Sequence, residues 1–263
     1  MESVFRPVDD DAMKPVDYDR VAAVFDERYA RNQYEGTQNA LLEFLGAERP
    51  AVLEVGCGTG HWLALIAPRV DIAVGVDLSL NMLERARKAA PGALPVRATA
   101  EWIPFAARSF DRVFAINALH HFREPAAFVA DCRRVLREKG SVMTIGLDPH
   151  TGLDQWWVYD YFPAALDADR RRYLPTAHIR SMFLAAGFVD TWTSVAQHLP
   201  AERSFDLAET QGVFDRRSTS QLLVIGDDEY EAGMRRIRAE RPTLRADLRL
   251  YATFACVDRN RSA

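Results

Sequence analysis

The chain is poor in lysine and cysteine, and it lacks any long apolar run. Lys14, Lys88 and Lys139 are its only lysines; the remainder of its 33 basic residues are arginines, interleaved with 37 acidic residues for a net charge of −4. No basic stripe is set apart from the acidic residues, which argues against a nucleic-acid footprint. Cys57, Cys132 and Cys256 stand far apart with no CxxC pair, so neither a disulfide framework nor a zinc site is indicated, and no metal is expected. No apolar stretch approaches the ~20 residues needed to span a bilayer. The acidic start "MESVFRPVDDDAMKPVDYDR" has no signal-peptide core. These absences point to a soluble, cytoplasmic protein with no nucleic-acid or membrane partner, and they leave its oligomeric state open.

What the chain does have is apolar content, 48% of 263 residues, enough for a full core. Residues 1–16, with Pro7, Pro15 and an acidic run, form a lead-in; 17–263 form one domain. Within it, "YDRVAAVFDERYARN" spaces Val21, Val24, Phe25 and Tyr29 as one helix face. "TQNALLEFLGAE" is a second helix opened by a capping Thr37, and these two occupy 17–49 as N-terminal lid helices. Over 50–148 strands and helices alternate: "AVLEVG", "IAVGVDLS", "LPVRATA", "FDRVFAINAL" and "SVMTIGL" are strands. The intervening helices include "LNMLERARKAA", capped by Ser79, and "AAFVADCRRVLRE", opened by Pro125 and stopped at Gly140. Short connections between alternating elements predict a doubly wound, Rossmann-like α/β fold with a mostly parallel sheet. Residues 149–263 change character. An aromatic stretch, "DQWWVYDYF", precedes a helix "TAHIRSMFLAAGF" and a strand "VDTWTSVAQ"; 200–246 read as largely helical, and "LRLYATFACV" reads as a last, antiparallel strand. The expectation is therefore seven strands with a helical cap insert.

The first strand ends in "VLEVGCGTG". It is not a P-loop, because His61-Trp62 follow Gly60 where a lysine would be needed. It is not a dinucleotide turn either: Gly56, Gly58 and Gly60 fall as G-x-G-x-G, one residue short of G-x-G-x-x-G. Glu54 stands just before the glycines, a poor neighbour for a pyrophosphate and a good one for a cation. Asp77 ends the second strand, where a carboxylate accepts from ribose hydroxyls. A ligand with a ribose, no phosphate bridge and a cationic end satisfies all three features, and S-adenosylmethionine is such a ligand.

Together, "VLEVGCGTG", "GVDLSLNML", "AEWIPFAARSFDRVFAINALHHF" and "CRRVLREKGSVMTIGLDP" resemble the successive motifs of class I S-adenosylmethionine-dependent methyltransferases, particularly the subgroup that acts on small molecules. The resemblance covers roughly residues 18–148, with motif order and spacing agreeing; beyond Pro149 it is architectural only. It implies that 50–148 are the cofactor-binding half and 149–263 the substrate region. It also implies S-adenosylmethionine as cofactor, S-adenosylhomocysteine as product and a small-molecule acceptor. Gly56, Gly58 and Gly60 would admit the methionine part, Asp77 would hold the ribose, and Leu78 and Met82 would pack on adenine. Ala100, Glu101 and Trp102 would border adenine, and Asn117 would meet the methionine part through its backbone. The chain departs from the family at Thr99, where an Asp or Asn commonly contacts the adenine amino group; a hydroxyl or backbone contact would have to substitute.

Oxygen and carbon acceptors need a base as well as alignment. "NALHHF" places His120 and His121 beyond the fourth strand, and His150 follows the fifth, all on the edge where open α/β sheets bind ligands. Each competes with a plainer role as pocket wall or loop histidine. Adjacent loop histidines seldom point the same way, so His120 and His121 do not read as a metal pair. The aromatic stretch 154–162 is either a lid over an apolar or aromatic acceptor or the cap's own core. Methylation at oxygen or carbon is the leading expectation. An N-methyltransferase, a methyltransferase of macromolecules and a non-catalytic S-adenosylmethionine-binding regulator stand behind it; an NAD-dependent oxidoreductase comes last, because the glycine spacing is wrong.

Overall fold

Five consecutive segments assemble a parallel sheet: β1 (Ala51–Val55), β2 (Ile72–Asp77), β3 (Leu94–Arg97), β4 (Phe110–Ile116) and β5 (Leu136–Leu147); all but the edge strand β3 carry buried apolar residues. The computed structural model describes residues 34–258; the lead-in and the helix expected over 18–32 lie outside them. Strand order is β3-β2-β1-β4-β5, then β8 (Leu244–Cys256) running antiparallel to β5. The far edge of β8 carries β7 (Asp190–Arg203), and a two-residue β6 (Gln155–Trp156) continues the near edge beyond β5. The order reverses between β1 and β4, which is where such sheets open a ligand crevice at their carboxyl ends.

β1 is buried along its whole length, so both sheet faces need helices. One face is covered by α1 (Glu35–Leu45), α2 (His61–Ile66) and α3 (Leu80–Ala89), which contribute Leu41, Trp62, Leu63 and Leu83 to a core with Phe114, Met143 and Ala252. The other face takes α4 (Pro125–Val135) and, after two short cap helices, α7 (Thr176–Ala185); Phe128, Val129, Ile179 and Phe183 pack there on Val113 and Ala255. The cap builds a third core of its own. It comprises α5 (Trp157–Tyr161), α6 (Pro163–Arg172), α8 (Phe205–Thr210), α9 (Ser220–Leu223) and α10 (Asp227–Glu240), joined through Trp157, Phe162, Phe205, Leu222 and Ile237.

The cap is tied together by one buried charge. Asp169 has no exposed surface, and its Oδ1 accepts from the Arg172 Nη2 at 2.5 Å. Its Oδ2 accepts from the Tyr159 hydroxyl (2.7 Å) and the Gln221 Nε2 (2.9 Å). Burial, then the Asp169 charge, pushes the Tyr159 phenol far above its usual range, so it remains a donor. One carboxylate thereby joins α5, α6 and α9, and the Arg172 guanidinium lies 5.5 Å from the Tyr173 ring.

Several sequence expectations are corrected. The sheet has eight strands and not seven, because β6 is too short to leave an alternating pattern. α1 begins at Glu35, with Thr37 buried inside it; no side-chain cap is needed because the Gln197 Oε1 on β7 accepts from the Thr37 amide at 3.1 Å. α4 ends at Val135, and Leu136 is already extended (φ −76, ψ 140), so 136–140 belong to β5. β7 runs on to Arg203 and β8 starts at Leu244, so only the segment between them is helical. Pro200 lies inside β7 opposite Asp247, tolerated because β7 has a partner on one side only. The aromatic stretch resolves largely as cap core: Trp157, Val158 and Phe162 are buried in it.

Asp169→Ala leaves Arg172 buried without its anion and is expected to lower the unfolding free energy in urea by about 3–5 kcal/mol. Glu202→Ala, which removes a 3.7 Å pair with Arg245 on the exposed ribbon surface, should change it by less than about 1 kcal/mol. Equal effects would show that the Asp169 cluster does not hold the cap together.

Candidate functional site

The loop after β1 is shaped by backbone geometry that only glycine accepts easily. Gly56, Gly58 and Gly60 have φ of 78°, 51° and 85°, in the left-handed region that costs other residues energy. Space is equally restrictive. A Cβ on Gly56 would sit 2.5 Å from the Ala118 Cβ, and one on Gly60 would sit 2.8 Å from the Ala86 Cα. The loop is thus pressed against the turn after β4 on one side and against α3 on the other. The amides of Gly56 and Cys57 both donate to the Val76 carbonyl, at 2.8 and 3.0 Å.

Asp77 closes this arrangement. Its Oδ2 accepts from the Gly58 amide and its Oδ1 from the Ser79 amide, both at 2.9 Å. The Ser79 hydroxyl in turn accepts from the Met82 amide at 3.2 Å, capping α3 as expected from sequence. Glu54, on β1 directly below the glycines, is almost completely buried, and its Oε2 has no hydrogen-bond partner. Burial, reinforced by the Asp77 charge, raises its carboxyl well above the ordinary value. The Leu63 amide also hydrogen-bonds to this side chain, but a buried carboxylate with one oxygen unsatisfied is still costly and is relieved by a cation. Burial also pushes the Cys57 thiol upward, which removes it as a nucleophile.

The other predicted cofactor residues gather on the same carboxyl edge. Met82 and Ala100 are buried, whereas Leu78 is 59% and Trp102 77% exposed, so neither large side chain is spent on the core. Trp102 pairs with Thr99 in an isolated bridge, which places Thr99 beside the expected adenine border. Glu101 has a structural task as well: its Oε1 accepts from the amides of Arg123 (2.9 Å) and Glu124 (3.4 Å), just before Pro125 opens α4. Asn117 adopts φ 52°, rare outside glycine, and donates its amide to the Ile145 carbonyl at 2.7 Å.

Two of the three histidines, His120 and His150, converge on a residue that sequence reasoning missed, Tyr173. His120 stacks on the Tyr173 ring (centroids 4.0 Å apart, 19° between planes) and its Nε2 lies 3.1 Å from the Tyr173 hydroxyl. The His150 Nε2 is 2.8 Å from the Tyr173 carbonyl. The His120 and His121 rings do lie together, with centroids 3.7 Å apart, contrary to the expectation for adjacent loop histidines, because a 3-10 turn over Leu119–His121 carries them. Among the described residues, no group of three or more His, Cys, Asp and Glu is placed to hold a metal. Asp148 was also missed. It is buried, and it accepts from the amides of His150 (3.1 Å) and Thr176 (2.8 Å), fixing the loop after β5. Its place at the end of a strand, before Pro149, was the available signal; nothing in the sequence marked Tyr173.

Residues 53–144 match the methyltransferase domain family. The chain is similar to an O-methyltransferase of Pyrenophora dematioidea, 32% identical over 158 residues that make up 53% of this chain and 59% of that protein. It is 36% identical over 141 residues to a malonyl-[acyl-carrier protein] O-methyltransferase of Legionella pneumophila, covering 51% of this chain and 47% of that one. The chain thus spans about half the length of the curated relatives it matches. Among solved structures, the YcgJ protein of Bacillus subtilis shares the fold over 84% of this chain and 97% of its own, with a TM-score of 0.59 at 19% identity. No helix of the described residues is long and apolar enough to cross a membrane.

The Glu54 carboxyl gives a pH dependence with a defined sign. Its folded value lies above the ordinary 4.5, so the native state holds this proton more tightly than the unfolded chain. That stability is present below the unfolded value and is lost as pH rises through the folded one. Glu54→Gln stays neutral throughout. In thermal melts of ligand-free protein, the Tm of Glu54→Gln is expected to gain on wild type as pH rises above the ordinary carboxyl range; a gap independent of pH would contradict the assignment.

Proposed function

We propose that this chain, whose residues 53–144 are a class I S-adenosylmethionine-dependent methyltransferase domain, methylates a small apolar or aromatic molecule in the cytoplasm, preferentially at oxygen. The observation that carries the reading is Glu54: a buried carboxyl group with one oxygen, Oε2, left without a hydrogen-bond partner, directly under a glycine turn that Asp77 braces. This is a cradle for a ligand with one cationic end and a ribose. S-adenosylmethionine has both, and when bound it supplies an electrophilic methyl group on sulfur.

In this reading Gly56, Gly58 and Gly60 let the backbone approach the methionine part, and Glu54 neutralises its ammonium. Asp77 accepts from the ribose hydroxyls with the lone pairs left over from Gly58 and Ser79. Exposed Leu78 and Trp102, with Ala100 and Met82 behind them, enclose the adenine; Glu101 keeps that border in place by holding the turn before α4. Asn117 turns the chain beside the methionine part. His120 takes the proton from the acceptor hydroxyl, and Tyr173 holds its ring by stacking and through the hydroxyl contact. His150 acts one step removed, by fixing the Tyr173 carbonyl, and His121 lines the mouth. Alignment supplies most of the rate, because a positioned methyl and acceptor gain roughly 7–11 kcal/mol from proximity, and a base adds about 10²–10⁴-fold. The two relatives named as O-methyltransferases favour oxygen over carbon.

Titration calorimetry tests this directly. S-adenosylmethionine and S-adenosylhomocysteine are expected to bind and NAD to give no heat. Asp77→Ala should weaken binding by about tenfold to a hundredfold, the worth of hydrogen bonds to a charged group. Binding of NAD with none of S-adenosylmethionine would overturn the reading.

A further inference from the structure

β7 and β8 run past the carboxyl end of the parallel sheet. Leu147, the last residue of β5, pairs with Leu250, and β8 extends from there back to Leu244 with β7 still paired to it. At about 3.3 Å per residue, this free part of the ribbon is roughly 20 Å long. Its two faces differ. On the outer face the charges neutralise one another: His198 and Arg249 pair with Asp247, and Arg245 with Glu202. On the inner face Leu199, Ala201, Ala246 and Leu248 lie in register and form one wall of an open cavity of about 440 Å³, which Val213, Thr219 and Gln221 of the cap also line. That volume is within the ~300–1,000 Å³ of small-molecule sites.

Among the described residues, one charged residue lines this cavity: Arg203, opposite Leu244 at the ribbon's far end. It is half-buried, and among the described residues no carboxylate lies within ion-pair distance of it. At the other end the cavity reaches Leu147 and Tyr34. The Tyr34 ring packs edge-on against Trp62 (6.3 Å), two residues beyond Gly60. The cavity therefore leads from Leu147, on the carboxyl edge of the sheet that also carries the glycine turn, along an apolar wall to Arg203.

We propose that this cavity is the acceptor site and that Arg203 selects an elongated molecule with an apolar body and an anionic terminus, a carboxylate or a phosphate, held away from the atom that is methylated. The proposal rests on the methyltransferase reading for its reacting end only. An arginine facing an apolar wall gains most from a ligand anion, which offers it a charge-assisted, bidentate partner, while the hydrocarbon body gains from burial against the leucines. Arginine stems also cover apolar surface with their heads in water, and the experiment separates that role from recognition.

Trp156 and Trp157 line the cavity, so intrinsic fluorescence reports its occupation. Dodecanoate, dodecyl phosphate, 1-dodecanol and dodecylamine are titrated below their micelle concentrations into the full chain. One or both anions are expected to bind at least about tenfold more tightly than the alcohol, and the stronger of the two identifies the head group. Arg203→Gln should erase that preference while leaving dodecanol binding within about twofold; Arg203→Glu should shift the preference to dodecylamine. Circular dichroism confirms that each variant is folded, and Arg203→Lys, which keeps the charge, should retain part of the preference. Equal binding of anion and alcohol by wild type, binding of neither, or an anion preference that survives Arg203→Gln would overturn the proposal. S-adenosylmethionine binding is measured on the same samples. Its failure would remove methyl transfer and leave the anion preference standing, whereas loss of the preference with S-adenosylmethionine binding intact would remove only the acceptor assignment.

Discussion

The carboxylate of Asp77 is the contact on which the donor side depends. By accepting from Gly58 on one loop and Ser79 on the next, it welds the ends of β1 and β2 into one surface. The weld has an electrostatic consequence one layer down, where its negative charge adds to burial in raising Glu54. Two carboxyl groups so close, one of them buried, make a site that favours a positive charge. A scaffold rigid enough to keep them together has to come from elsewhere, and here it comes from packing. Gly56 against Ala118 and Gly60 against Ala86 leave the loop no room to relax. The strain is held by the parallel strands beneath, which are buried on both faces.

The acceptor side is built on a different principle. Its cap has its own apolar core and its own buried charge, Asp169, linked through Arg172 and Tyr173 to His120. A chain of contacts therefore runs from Gln221 in the cavity wall to the imidazole at the edge of β4. The cap and the histidine thus share a support of packed side chains.

Much of the donor half was legible because its residues answer to local rules. Alternating strands and helices, a G-x-G-x-G turn, a serine before a helix and a carboxylate ending a strand each act within a few residues, and the structure uses them as the spacing implies. The misreadings are of another kind. Thr37 has the chemistry of a cap, yet an amide from β7, distant in sequence, satisfies that helix start. Residues 136–140 continue a helical apolar rhythm, but pairing of Leu136 with Phe110 makes them strand. Pro200 and the irregularity at Val195–Gln197 hid the second half of β7, and with it Arg203. Tyr173, Asp148 and Asp169 left no mark because their roles exist only once segments remote in sequence have met. The aromatic run after Asp148 carried a true signal with two meanings, and long-range contacts alone could assign Trp157 and Phe162 to the cap core.

The free ribbon of β7 and β8 has a consequence for how such a protein changes over time. Its register is kept by backbone hydrogen bonds and by the charge pairs of its outer face, neither of which involves the side chains turned toward the cavity. Single substitutions at positions 199, 201, 203, 244, 246 or 248 can thus reshape what the cavity holds without shifting the ladder or disturbing the glycine turn. The shape of the cavity is adjustable here in small, separate steps, while the glycine turn stays under the tight constraint of a crowded loop.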